Sequence, residues 1–254
     1  MKVLLFDVDG TLTYPMKQIA DSMVAELERL SRIGYVLVAV GGSDYDKIKF
    51  QLAGALHLFE YVCSENGLVT YRTRQAHSIE NISDVFYQKH DLIECNSMIN
   101  KIGEKNRQEL LNVILFELSQ IILPCKRGHF IEVRNSCINV SPIGRLCSYE
   151  EREQFNEYDK IHNVRQNLIN KIQPILQKND LVAVIGGMIS IDIYPQNWDK
   201  TYCLKFLEQA EHIYFFGDKT EPGGNDHSLY GHHRVIGYRF DNPKHLEMIL
   251  SFFN

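Results

Sequence analysis

The sequence predicts an α/β protein with a core built on a parallel sheet, interrupted by an inserted α+β unit whose own sheet is largely antiparallel. Apolar runs of strand length alternate with stretches of helical spacing at the start of the chain, and the same alternation returns after Trp198. Between them lie short strands with a strict in-and-out pattern, separated by long helical segments. No internal repeat or low-complexity tract interrupts either pattern.

Residues 3 to 8 read as a buried strand, ending in FDVDGTLT. From Met16 to about Arg32, Ile19, Met23, Leu27 and Leu30 recur at helical spacing, and Gly34 follows as a terminator. YVLVAV, 35 to 40, is a second strand that ends at GGSD, and a helix restarts near Tyr45. A third strand, Phe59 to Cys63, leads into the turn SENG. Strand, helix, strand, helix, strand is the pattern of a doubly wound domain with a parallel sheet. Residues 77 to 100 fit no single pattern. A helix over about 105 to 122 carries Leu111, Leu115 and Leu118 along one side, and a long charged helix runs from about Glu150 to Leu176. In ISIDIYP, Ile189, Ile191 and Ile193 share one face while Ser190, Asp192 and Tyr194 share the other. In HFIEVRN the same rule separates Ile131 and Val133 from Glu132 and Arg134, so this sheet offers a core side and a polar side. A helix from about Lys200 to Gln209, the strand IYFFGD, a Gly-rich loop, the weak strand VIGYRF and a terminal helix with Leu246, Ile249, Leu250 and Phe253 complete the core. The division is therefore 1–79 and 197–254 for the core and 80–196 for the insert. Gly186, Gly187 and the turn from Pro195 to Trp198 read as tight backbone or hinge elements.

Composition bounds the function. With 254 residues, 44 % hydrophobic and 23 % charged, the chain is long enough for one large core or two modest ones. A formal charge of -5 gives no general attraction to nucleic acid or anionic lipid. No apolar run reaches bilayer length, and VLLF is too short for a signal peptide. The cysteines at 63, 95, 125, 137, 147 and 203 show no CxxC or zinc spacing; the expected setting is the cytoplasm, where most of them are free thiols packed as small hydrophobes and the sequon at Asn81 is irrelevant.

The chemistry sits at strand ends. The carboxyl edge of a parallel sheet is where such domains place their crevice, and four ends carry reactive residues: Asp7 with Asp9, Ser43 after two glycines, Lys200 before a helix, and Asp218 with Asn225 and Asp226. Clustered carboxylates repel one another unless a cation lies between them, and a hard ion such as Mg²⁺ fits. Ser43 and Lys200 can each donate to a phosphoryl oxygen. Two aspartates at i and i+2 point the same way in an extended segment. Asp7 can then attack phosphorus as a nucleophile while Asp9 moves the proton as general acid and base. An isolated DVD is most simply a pair of solvated or capping carboxylates; three further sites at other strand ends outweigh that reading.

FDVDGTLT, VGGSD, the Lys200 of WDK and GDKTEPGGND are the ordered signatures of haloacid dehalogenase-like phosphotransferases, with a Rossmannoid core. SENGLV, KRGHFIEVRN, NVSPIGR, SYEER, ISIDIYPQNWDK and IYFFGDKTEPGGNDH resemble the eukaryotic-type phosphomannomutases across nearly the whole chain. The resemblance implies interconversion of mannose 6-phosphate and mannose 1-phosphate, feeding GDP-mannose synthesis, with a hexose 1,6-bisphosphate as activator and intermediate. It implies a mobile cap closing over the core and a homodimer joined through the caps. It also implies Mg²⁺ held by Asp7, the main chain of Asp9, Asp218 and Asp226. Ser43 and Lys200 would hold the transferred phosphoryl group, and Arg134, Arg145, Arg152, Ser190 and Asp192 would hold the sugar phosphate, with Arg134 on one polar face and Ser190 with Asp192 on another. Arg127 is structural on this reading. The chain departs from the family in three places. Met16 stands where an arginine is usual, with Lys17 beside it as a partial substitute for substrate binding; 77–100 adds extra length; and SLYGHHRV lacks the carboxylate of an auxiliary cation site. A sugar-phosphate or hexose-bisphosphate phosphatase shares the core motifs, whereas a non-enzymatic sensor would be expected to lack Asp7 or Asp9.

Overall fold

The computed structural model describes residues 1–73 and 90–254. In chain order the elements are β1 (Lys2–Asp7), α1 (Asp21–Arg32), β2 (Val36–Val40), α2 (Tyr45–Leu52), β3 (Phe59–Ser64), β4 (Val69–Thr73) and β5 (His90–Cys95). Next come α3 (Met98–Ile102), α4 (Glu104–Gln120), β6 (Ile131–Val133), β7 (Ile138–Val140), α5 (Tyr149–His162), α6 (Val164–Lys178), β8 (Leu181–Gly186) and β9 (Ser190–Pro195). A 3₁₀ segment (Lys200–Leu207), β10 (His212–Gly217), α7 (His227–Tyr230), β11 (Val235–Arg239) and α8 (Pro243–Leu250) follow.

The chain divides into two compact units, Met1–Cys95 with Trp198–Asn254, and Asn96–Asn197. The boundary expected at residue 80 lies outside the described residues. Residues 90–95, expected in the insert, are instead a strand of the first unit, because β5 pairs antiparallel with β4 from Val69↔Cys95 to Thr73↔His90.

In the first unit a seven-stranded sheet runs in the order β11-β10-β1-β2-β3-β4-β5. The five strands from β11 to β3 are parallel, and β4 and β5 extend them antiparallel. β1 is central and covered on both faces, which is why it reads as a continuous apolar run. Leu4 and Phe6 pack in one cluster with Met23, Leu27, Leu30, Phe216, Leu246 and Leu250. Val3 and Leu5 pack in the other with Leu204, Leu207, Phe215 and the thiols of Cys63 and Cys203. Each such side chain removed from water is worth about 1.5–3 kcal/mol. α1 starts at Asp21, later than the apolar spacing predicts: Met16 holds a left-handed backbone (φ 62°) that a helix excludes, and Ile19 reaches the same cluster from outside the helix.

The second unit has a four-stranded antiparallel sheet, β6-β7-β9-β8, with α6 against β8 and β9. Ile189, Ile191 and Ile193 are buried as the alternation predicts, but β6 is an edge strand and Val133 is 46 % exposed. Two expected helices differ. In α4 the buried row is Leu110, Ile114 and Leu118, whereas Leu115 is 53 % exposed, since i, i+4, i+8 is the stripe that faces the unit's interior. The single helix from Glu150 is two, α5 and α6, broken at Asn163, whose left-handed backbone (φ 52°) ends the first. The antiparallel sheet inserted in a mostly parallel α/β unit is the core-plus-cap architecture of haloacid dehalogenase-like proteins.

Candidate active site at the carboxyl edge of the sheet

Because β10, β1 and β2 are parallel and in register at Phe216, Phe6 and Ala39, the residues that follow them leave the sheet at one edge. Asp7 ends β1, Ser43 follows β2 and Asp218 follows β10. The chain turns after Asp7 by hydrogen bonds from Gly10 N to Thr13 O (2.8 Å) and Thr13 N to Val8 O (3.1 Å). Gly10 is required here twice: its φ is +98°, and a Cβ would lie 2.5 Å from Asp218 Oδ2.

Asp7 is buried, with Oδ2 accepting from Thr11 Oγ1 at 2.9 Å and Oδ1 accepting from Lys200 Nζ. The same ammonium donates to Asp226 Oδ1 at 2.6 Å, while Asp226 Oδ2 accepts from the Lys219 amide at 3.1 Å. Asp7, Asp218 and Asp226 bring carboxylate oxygens within 4.8 Å of one another. Burial pushes the Asp7 carboxyl up to about 7; Lys200 counteracts this, and Asp226 and Asp218 add to the rise. Burial likewise raises Asp218, with Lys219 opposing and Asp226 reinforcing. Burial would lower Lys200, but the Asp7 and Asp226 charges hold it well above its ordinary value. Three carboxylates face the buried Lys200 ammonium and the Lys219 charge beside Asp218, so negative groups still outnumber positive ones. Asp218 Oδ1 is buried without a hydrogen-bond partner, an oxygen whose desolvation a cation would offset. An all-oxygen donor set at this spacing fits a hard divalent ion.

Asp9 is held apart from this cluster and is half-exposed. Its Oδ2 accepts from Lys47 Nζ (2.8 Å), which also donates to Ser43 Oγ (3.0 Å), and its Oδ1 accepts from Gln51 Nε2 (3.1 Å). Burial alone would raise this carboxyl; Lys47, Gln51 and the Met16 amide outweigh it and hold it below the usual range. Met16 therefore contributes its backbone N–H, while its side chain is 73 % exposed. Lys17 is exposed, its Nζ 6.0 Å from the Tyr14 ring.

In the second unit, register puts Glu132 opposite Asn139 and Asn139 opposite Asp192. The two polar faces expected for Arg134 and for Asp192 are thus one face of one sheet, because β7 lies in register between β6 and β9. Arg134 and Arg145 both reach Glu132 Oε2, at 2.8 and 3.2 Å. Arg145 also donates to Asn139 Oδ1 (2.6 Å), and Asn139 Nδ2 to Asp192 Oδ1 (2.6 Å). Arg152 donates to the Arg145 carbonyl at 2.9 Å, Ser190 is buried, and Arg127 pairs with Glu151 at 2.6 Å. Sequence reasoning missed Thr11, Lys47, Gln51, Glu132 and Asn139. For Lys47 and Gln51 a signal existed: they stand four and eight residues after Ser43 and share a face of α2.

A buried strand-end carboxylate bound by a buried lysine, with two more carboxylates from a later strand end and an antiparallel unit inserted in the core, defines the haloacid dehalogenase-like class. The profile of the family "Eukaryotic phosphomannomutase" matches residues 23–253. Among curated proteins, a phosphomannomutase of Triticum aestivum is 42 % identical over 240 residues, covering 94 % of this chain and 90 % of its own. One of Dendrobium officinale is 41 % identical over 242 residues, covering 95 % and 89 %. The solved structure of an N-terminally truncated, IMP-bound IMP-nucleotidase of Plasmodium falciparum superposes with a TM-score of 0.62 at 17 % identity, over 99 % of this chain and 67 % of that one, a likeness of fold alone. The chain belongs to the eukaryotic phosphomannomutase family.

Proposed function

We propose that this enzyme interconverts mannose 6-phosphate and mannose 1-phosphate by way of an aspartyl phosphate on Asp7 and a hexose 1,6-bisphosphate. Asp7 is the nucleophile, and Thr11 and Lys200 fix its two oxygens so that it meets phosphorus in one orientation. Lys200 also offsets charge on the transferring group, and Ser43 donates to one of its oxygens. Asp9 gives a proton to, or takes one from, the sugar oxygen on phosphorus. Asp7, the Asp9 main chain, Asp218 and Asp226 would hold Mg²⁺, which when bound supplies positive charge to the phosphoryl oxygens. Arg134, Arg145 and Arg152 would take the phosphate not in transfer, and Ser190 and Asp192 the sugar hydroxyls, with Lys17 a weaker contributor at the position of the family's arginine.

The observation that carries the mutase over the phosphatase is the pair of guanidiniums, Arg134 and Arg145, sharing a single carboxylate oxygen of Glu132. A bisphosphate that turns over between half-reactions needs a second anion site, and planar guanidiniums suit it. Free thiols at Cys63, Cys125, Cys147 and Cys203 support a cytoplasmic setting, and no described helix is long and apolar enough to cross a membrane. The exposed side chains of Leu115, Phe116 and Ile122 support a homodimer through the inserted units.

The test is a paired assay of the purified protein with mannose 1-phosphate and a catalytic amount of hexose 1,6-bisphosphate. Isomerisation is expected to outpace release of free phosphate; dominant phosphate release sinks the mutase and leaves a phosphatase. Asp7→Asn is expected to abolish both, and residual turnover in that variant would remove Asp7 as nucleophile.

A further inference from the structure

α2 begins at the N-cap Asp44, whose side chain accepts from the Lys47 amide at 2.8 Å. That cap sets the helix's direction, and Lys47 and Gln51, four residues apart, rise together toward Asp9. Both carboxylate oxygens of Asp9 are thereby held by donors, Oδ2 by Lys47 at 2.8 Å and Oδ1 by Gln51 at 3.1 Å. Gln51 is itself fixed: it is 1 % exposed, its Nε2 also donates to Thr13 Oγ1 at 2.9 Å, and its Oε1 is buried without a partner. Turning the amide over would set oxygen against the carboxylate, so the orphaned acceptor is the cost of keeping a donor on Asp9. Gln51 cannot let go cheaply. Lys47 can, because its ammonium has three protons and already touches Ser43 Oγ at 3.0 Å.

We propose that Lys47 is a positioning residue that exchanges Asp9 for the transferring phosphoryl group. The inference rests on the reading of Ser43 and Asp9 given above. In the resting enzyme Lys47 holds Asp9 Oδ2. When a phosphoryl oxygen docks at Ser43, the ammonium swings its bond from Asp9 to that oxygen, and Oδ2 becomes free to face the sugar. In the transfer step the sugar oxygen forms a bond to phosphorus, the bond from phosphorus to the Asp7 oxygen breaks and returns its electron pair to the Asp7 carboxylate, and the hydroxyl proton goes to Asp9 Oδ2. The acid/base group is in this way presented only when there is a phosphoryl group to act on.

The test is a double-mutant cycle on orthovanadate affinity, measured by calorimetry on the full chain in Mg²⁺ buffer with Lys47→Met, Asp9→Ala and the pair. Lys47→Met is expected to weaken vanadate about tenfold or more, as the loss of one charge-assisted hydrogen bond does. Asp9→Ala is expected to tighten it roughly fivefold where Lys47 is present, because the ammonium no longer has to leave a carboxylate, and by less than about twofold in the Lys47→Met background. Simple charge repulsion predicts an equal or larger gain without Lys47. That result, or unchanged affinity in Lys47→Met, overturns the exchange. Should Lys47→Met fail to fold, Lys47→Gln closes the same cycle. The isomerisation assay is separate: wild-type protein that shows the coupling but only releases phosphate refutes the mutase and leaves the exchange standing.

Discussion

At the scale of single residues, burial decides what the carboxylates can do. Lys200 has no exposed side-chain surface, and it is the ammonium that Asp7 and Asp226 share. Lys200→Met would leave two carboxylates facing each other in the interior, and removing one partner of a buried ion pair costs about 3–5 kcal/mol. Urea unfolding at pH 8 without Mg²⁺ measures it, and a loss under 1 kcal/mol would show that the charges find other partners. Arg134 is the contrasting case, at the open end of a polar row. Arg134→Ala is expected to raise KM for the hexose phosphate about tenfold, the worth of a charge-assisted hydrogen bond, with Mg²⁺ affinity unchanged; unaltered kinetics would take it out of the site. Asp7, Asp9 and Asp218 were legible in the sequence because carboxylates at the ends of apolar strands contradict their surroundings, and Lys200 by its place just before a helix. Lys47 was legible only as a spacing from Ser43, because a lysine on a half-exposed helix ordinarily means a solvated face, and it is the packed distance to Asp9 that decides otherwise.

Among elements, the parallel strands were the most legible, since a strand buried on both faces can only be an apolar run, as Val3 to Phe6 are. Helix limits were less so. The stop at Asn163 depends on a left-handed backbone that asparagine tolerates but does not dictate, and Leu115 differs from Leu118 only in which way the helix is turned. The start of α5 is more explicit: Ser148 Oγ accepts from the Glu151 amide at 3.3 Å, and the Glu151 side chain accepts from the Ser148 amide at 2.9 Å. Ser148→Ala is expected to lower the stability of the inserted unit by about 1 kcal/mol, read as a shift in denaturant midpoint with no change in slope. No shift would mean that α5 is held by packing alone. The insertion itself was legible as a change of pattern, whereas the assignment of β5 was not, because only its pairing with β4 ties it to the first unit.

Taken as a whole molecule, the carboxylate cluster lies within one unit and the arginine row within the other, so their ligands report separately. With Asp7 raised to about 7, the folded metal-free protein retains a proton that the unfolded chain has already released from its ordinary carboxyl. Its contribution to stability is present at low pH and is lost as pH rises through about 7. Mg²⁺ binding requires that proton to leave, so the rise in Tm produced by Mg²⁺ is expected to be larger at pH 8 than at pH 6. Hydrogen exchange should place the Mg²⁺-dependent protection in the loops after β1 and β10 and not in β6 to β9. A Tm shift independent of pH, or protection in the second unit, would contradict this. The pairing of Asp7 with Lys200 spans 193 residues, and that distance is also a delay. During synthesis β10 leaves the ribosome after its neighbour β1, later by on the order of ten seconds or more. The inserted unit, being contiguous, can finish folding in that interval, while the central strand waits with its reactive carboxylate lacking a counter-charge. A nascent chain halted before Lys200 should therefore show a protease-resistant insert and an N-terminal segment still open to cleavage.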